Sequence, residues 1–127
     1  MIPALITISV ITAILAGFSK AVCDLSEEGK LKFKKKSFWI KELSYINKWK
    51  NGDKKQGEKF FGSSRWFVSL TDAWHLFGLI FRLSFAISFL LAGYLIALNN
   101  WYYFLLFNYV LFAGIFHIFH TYKILKK

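Results

Sequence analysis

Apolar and polar positions are segregated along this chain into long blocks, and the blocks define its elements. Ile2 to Phe18 is an uncharged run of 17 residues closed by Lys20. As a helix it would be about 26 Å long, just enough to cross a hydrocarbon core of about 30 Å. Pro3 falls in its first turn, where a missing N–H is harmless. A second block runs from Trp66 to Leu98, interrupted only by Asp72, His75 and Arg82. One helix over all of it would measure about 50 Å, too long for a perpendicular span. The spacing therefore predicts a helix over 72–98, with Thr71 or Asp72 as its cap and Trp66 to Leu70 in the headgroup layer. A re-entrant half-helix before Arg82 is the alternative. A short polar turn at Asn99-Asn100 precedes Trp101, Tyr102 and Tyr103, which suit an aromatic belt. The third span is predicted over 101–122. The fold class is thus an all-α integral membrane protein with three transmembrane helices in a single domain of 127 residues.

Between the first two spans lies a loop, residues 19–65, that is neither membrane-like nor a plain linker. Phe38 to Lys50 has helical periodicity: Trp39, Leu43, Ile46 and Trp49 fall on one face, Lys41, Ser44 and Lys48 on the other. An amphipathic helix over about 38–50 is predicted, lying on the membrane surface or packing on the spans. Asn51-Gly52-Asp53 reads as a turn, and Gly57 to Ser64 as the approach to the second span.

Charge fixes the expected orientation. The formal net charge is +10, although 56% of residues are hydrophobic and 20% aromatic. A soluble core would have difficulty hiding that much apolar surface at this size. Thirteen of the seventeen basic residues lie between Lys20 and Arg65, and Lys123, Lys126 and Lys127 lie in the tail. Arg82 is the remaining one. The positive-inside rule predicts a bacterial cytoplasmic (inner) membrane protein with its N-terminus outside and its loop and C-terminus cytoplasmic. The first run has its charge after it rather than before it, so it reads as a retained helix and not a signal peptide. Anionic phospholipid headgroups are the expected partners of the lysines. Nucleic acid is not expected, because the basic stretch adjoins three spans. A homo-oligomer is compatible with Ala13, Ala16 and Gly17, which permit close helix approach. Cys23 is the single cysteine, so no intramolecular disulfide forms.

The candidate chemistry comes from ionisable residues inside or beside the spans, where each needs a reason. Asp72, His75, Leu79 and Arg82 line one helix face, and His117 and His120 share a face of the third span. The topology puts Asp72, His75, His117 and His120 at similar depth, near Cys23 and Asp24. One reading is a metal site in which these three histidines and Asp72 bind zinc or another divalent transition ion, with a bound water available for hydrolysis. A haem clasped by histidines of two spans is a variant of it. The other reading makes the histidines interfacial side chains and Asp72 a helix cap. Arg82, about 15 Å along the helix from Asp72, could bind a lipid phosphate, bond backbone carbonyls or snorkel to the surface. No glycine-rich phosphate loop, serine elbow or zinc-protease motif is present.

Three stretches carry a resemblance: Asn47-Lys48-Trp49-Lys50-Asn51-Gly52-Asp53, then Gly57-x-Lys59-Phe60-Phe61-Gly62-Ser63-Ser64, then Leu70-Thr71-Asp72-Ala73-Trp74-His75. With Ala21 to Asp24 after the first span, the pattern resembles a group of small bacterial multi-pass membrane proteins of uncharacterised activity. It covers roughly residues 21 to 77 and does not include the third span. The resemblance implies that Asp24, Asn47, Lys50, Asp53, Ser63, Asp72 and His75 belong to one polar pocket at the cytoplasmic interface. The combined expectation is a pocket that binds or modifies an anionic lipid or similar amphiphile. Asp72, His75 and Asp24 would be its catalytic groups, and Lys50, Arg82, Asn47, Asp53 and Ser63 would meet the headgroup phosphate. The competing expectation is a non-enzymatic accessory or oligomeric structural membrane protein.

Overall fold

A computed structural model describes residues 1–32, 37–99, 102–122 and 124–125. Lys34, Lys35 and Lys36 of the loop, Asn100 and Trp101 of the expected turn, and Lys123, Lys126 and Lys127 of the tail lie outside the described residues. Among the described residues the chain is helical, with no strand longer than an isolated bridge between Trp49 and Glu58. Helix α1 covers Ile2–Glu27, a five-residue α2 covers Ser44–Lys48, α3 covers Ala73–Asn99 and α4 covers Tyr102–Thr121. Three of these, α1, α3 and α4, are long and apolar enough to cross a membrane.

Helix α1 runs nine residues past its expected end at Phe18. Lys20 does not stop it, because its ammonium reaches one turn on to Asp24 (2.5 Å), an i,i+4 pair that the helix itself provides. Ala21, Val22 and Leu25 continue the buried stripe beyond that point. The helix ends at Gly29, whose φ of +65° permits the closing bonds Gly29 N–H to Ser26 O and Lys30 N–H to Leu25 O. The threonine hydroxyls of α1 serve their own helix: Thr7 donates to Pro3 O and Thr12 to Ile8 O, each at 2.9 Å.

Packing is centred on α1, which lies along both α3 and α4, while α3 and α4 touch over a shorter stretch. The buried face of α1 is built from small residues, Ser9, Ala13, Ala16, Gly17 and Ala21, so backbones approach closely. Gly17 is the extreme case, since a Cβ there would lie 2.6 Å from the Phe112 carbonyl oxygen. Where the helices cross, Ser9 Oγ donates to Ser88 O (3.0 Å) and Ser88 Oγ to Ser9 O (3.1 Å). Asn108 of α4 then donates from Nδ2 to Ser9 Oγ (2.8 Å). All three side chains are fully buried, so one polar junction ties the three long helices together. At the other end Phe18 meets Phe77 and Phe119 edge-on, and Val22, Leu25 and Leu31 form an apolar cluster beneath Trp39.

The loop departs most from expectation. Instead of one amphipathic helix over 38–50 there are two 3-10 turns, Ser37–Trp39 and Lys41–Leu43, followed by α2. Ile40 is extended (φ −116°, ψ 110°) and breaks the helix between them. Trp49 is extended as well (φ −117°, ψ 149°) and ends α2. Periodicity alone could not resist these breaks, since an isolated stretch of about a dozen residues is marginally helical even with good formers. The chain gains tertiary partners in exchange: Ser26 donates to Trp39 O, and Trp39 stacks on Phe77 with ring centroids 6.1 Å apart. A hairpin-like turn follows, closed by Lys50 N–H to Gly57 O and Lys59 N–H to Lys48 O. Residues 66–70 form a turn and a short 3-10 segment, and α3 then runs unbroken through Arg82, leaving no re-entrant half-helix.

Candidate functional site

Asp72 stands immediately before α3 and does two things with one carboxylate. Oδ1 accepts the N–H of His75 at 2.9 Å, which caps the helix, while the Asp72 carbonyl accepts from Leu76 N–H at 3.1 Å. Both carboxylate oxygens also lie against His75 Nδ1, at 2.9 and 2.7 Å. Thr71 Oγ1 is 3.0 Å from Oδ2 and 2.7 Å from Val68 O, and its one proton serves either. The Asp72 side chain is fully buried, and the His75 imidazole is the ionisable group that meets it. With Nδ1–H directed at the carboxylate, the basic lone pair of the neutral ring is on Nε2. The carboxylate thereby fixes the tautomer and orientation of the imidazole.

His75 opens onto a cavity of about 460 Å³ between α1 and α3, lined also by Lys20, Cys23, Asp24, Glu27 and Arg82. Its acids are taken up by cations. Asp24 is held by Lys20, at 2.5 and 2.6 Å to its two oxygens. Glu27 accepts from Lys41 Nζ (2.5 Å) and from Trp74 Nε1 (3.2 Å), and the same Lys41 lies 4.2 Å from the centroid of the Trp74 ring. This fastens the loop over one edge of the cavity. Cys23 is buried in the wall, with Sγ 3.6 Å from Trp74 O. Arg82 is the cation left over: among the described residues its guanidinium has no hydrogen bond or ion pair. Two turns of α3 separate it from His75, about 10 Å along the axis.

The expected site residues divide into groups. Asp24, Asp72, His75 and Arg82 are brought together around or beside this cavity. Asn47, Lys50, Asp53 and Ser63 are not among its walls. Ser63 instead donates to Lys48 O (2.7 Å), Asp53 accepts Lys55 N–H (2.8 Å), and Asn47 Oδ1 accepts from Ser37 Oγ (3.1 Å). Lys50 is exposed on the hairpin-like turn, where its N–H bonds Gly57 O. These residues hold the loop together.

The four-residue metal set is not assembled. No group of three or more His, Cys, Asp or Glu side chains among the described residues is disposed to hold a metal ion. Asp72 and His75 pair with each other, whereas His117 Nδ1 bonds Thr121 Oγ1 (3.2 Å). His120 stacks on Phe116 and reaches Glu28 (3.5 Å) at the end of α1. Shared depth was the basis of the expectation, but depth leaves the rotation of α4 about its axis free. Glu28, outside the long helices, is held below the ordinary 4.5, first by its hydrogen bond from Lys30 and to a smaller extent by His120.

Lys20, Glu27 and Trp74 line the cavity and Lys41 pairs with Glu27 at its edge, and the sequence reading gave none of the four a part in the site. A signal existed for the first two: Lys20, Asp24 and Glu27 follow at four- and three-residue intervals along α1. None existed for Lys41, whose contact spans fourteen residues. Comparison of the chain with models of protein families, with curated proteins and with solved structures gives no match in any of the three.

Proposed function

We propose that this is a membrane protein whose α1–α3 cavity binds the anionic headgroup of a lipid or similar amphiphile. Arg82 would meet its phosphate and His75 would be the group able to move a proton at it. The observation that supports this reading most directly is the unpartnered Arg82 beside a cavity whose acids already have cations. A guanidinium on a face of an apolar helix is expensive in lipid unless an anion meets it, and its planar fork matches phosphate oxygens. Lys20 and the loop lysines would add attraction without specificity. In the orientation that charge asymmetry favours, the cavity, loop and tail face the cytoplasm of a bacterial inner membrane. Bound there, a headgroup would have the free Nε2 of His75 within about two helical turns of its phosphate. The resemblance of residues 21 to 77 to small multi-pass membrane proteins fits this reading without naming a reaction.

The test is lipid retention through detergent purification, read by mass spectrometry, for wild type and Arg82→Gln. Charge-assisted hydrogen bonds contribute about 1.5–3 kcal/mol, so Arg82→Gln is expected to retain roughly ten- to a hundredfold less anionic lipid. His75→Asn should keep the lipid and lose any turnover. Equal retention by wild type and Arg82→Gln, at equal thermal stability, refutes the proposal.

A second reading is a non-enzymatic structural or accessory protein, and one observation favours it. Only 6% of the apolar stretch of α4 is buried, against 28% for α1. A furrow of about 250 Å³ runs along it past Val110, Gly114 and Ile118. Self-association through α4 would appear as a dimer whose Gly114→Leu variant is monomeric.

A further inference from the structure

The turn from Glu58 to Phe67 satisfies its polar groups from within: Glu58 accepts the N–H of Gly62 (2.8 Å), the N–H of Ser64 (3.1 Å) and the Ser64 hydroxyl. The fully buried Ser63 side chain fastens the turn to Lys48 O, and Phe67 N–H returns to Gly62 O at 2.8 Å. Gly62 sits at φ +73° with its missing Cβ only 3.0 Å from the Phe67 ring, so the backbone has little freedom. Its aromatics face outward, together with Lys59 and Arg65. Phe61 is 84% exposed and Trp66 79%, with Phe60, Phe67 and Leu70 beside them. A fold that had a use for these rings internally would not hold them outward on so constrained a turn.

Two features say what covers them. One is charge: Lys54 and Arg65 line the same surface hollow as Phe61 and Trp66, Lys55 and Lys59 are exposed nearby in the chain, and the acids Asp53 and Glu58 are occupied by local hydrogen bonds. The other is continuity. Trp66 is seven residues from the start of α3, at most about 24 Å of chain even fully extended, and the 3-10 segment Val68–Leu70 shortens that. The turn is therefore tethered within that distance of the point at which α3 would enter a bilayer. Aromatic rings suit the boundary between headgroups and acyl chains, and cations suit an anionic surface.

We infer that the Glu58–Phe67 turn is a membrane anchor, which inserts Phe61 and Trp66 into the headgroup boundary of an anionic leaflet with Lys59 and Arg65 on its phosphates. The inference does not rest on the α1–α3 cavity. It assigns the cluster of loop cations a local surface and turns a connector into a second attachment beside the spans.

The test uses the full chain in vesicles of mixed zwitterionic and anionic phospholipid. The emission of Trp66 is isolated as the difference between wild type and Trp66→Phe, a variant that changes an exposed ring and leaves the melting curve unmoved. That component is expected to be quenched by lipid brominated high on its acyl chains and shielded from aqueous acrylamide. Adding Phe61→Trp to Trp66→Phe should restore a component with the same behaviour, and Arg65→Gln with Lys59→Gln should raise its acrylamide exposure. Free access of acrylamide to the Trp66 component overturns the inference, because the turn is then in water. A component shielded from both quenchers also overturns it, because protein rather than lipid is then the cover.

Discussion

Gly17→Ala sets two effects of known size against each other. In a helix interior alanine is favoured over glycine by about 0.8–1.0 kcal/mol, so an unhindered replacement should stabilise. At Gly17 the new Cβ would lie 2.6 Å from the Phe112 carbonyl oxygen, and 3.0 and 3.1 Å from Ile115 Cβ and Cγ2. The nearest of these is backbone of α4, so relief requires α1 and α4 to move apart by several tenths of an ångström. Overpacking of this kind costs about 1–3 kcal/mol. The net expectation is a loss of up to about 2 kcal/mol. Gly93 of α3 supplies the control, because a Cβ there meets nothing within 4 Å. Gly93→Ala should be neutral or stabilising by up to about 1 kcal/mol. Reversible unfolding in detergent, by helical circular dichroism against denaturant, measures both. If Gly17→Ala matches or exceeds Gly93→Ala in stability, the close α1–α4 approach is wrong.

Two more outcomes follow from the junction and the loop. Asn108→Ala removes the interhelical bond to Ser9 and should cost about 0.6, at most about 1.7, kcal/mol; a double-mutant cycle with Ser9→Ala that shows no coupling would refute the junction. Glu58 is held below its ordinary 4.5, chiefly by the Ser64 hydroxyl and then by the Gly62 N–H. A lowered folded-state value means that its stabilisation of the turn is complete above 4.5 and is lost as the pH falls through that lower value. Hydrogen exchange at the Gly62 and Ser64 amides should rise relative to other loop amides on acidification, and Glu58→Gln should remove that pH dependence. A pH response that persists in the variant would assign it elsewhere.

Much of the helical framework was legible from the sequence, because hydropathy is a property of consecutive residues. The apolar stretches predicted over 2–18, 72–98 and 101–122 each correspond to a long helix, with ends moved by capping and pairing. The capping of α3 by Asp72 was legible too, since an aspartate just before a helix accepts the N–H three residues on, whereas its contact with the His75 ring was not foreseen. The tertiary structure decided everything that depends on how each helix is rotated about its axis. That rotation turns Cys23 and Asp24 toward His75, separates His117 and His120 from that pair, and buries Ser9, Ser88 and Asn108 against one another. It also replaced the expected surface helix by turns, which bring Trp39 onto Phe77 where a short isolated helix would be marginal by itself. Sequence order carries the preference of each segment for apolar or polar surroundings, which acts residue by residue. Contacts between segments depend on the simultaneous fit of small residues such as Gly17 against a neighbouring backbone, and only the packed bundle specifies that fit.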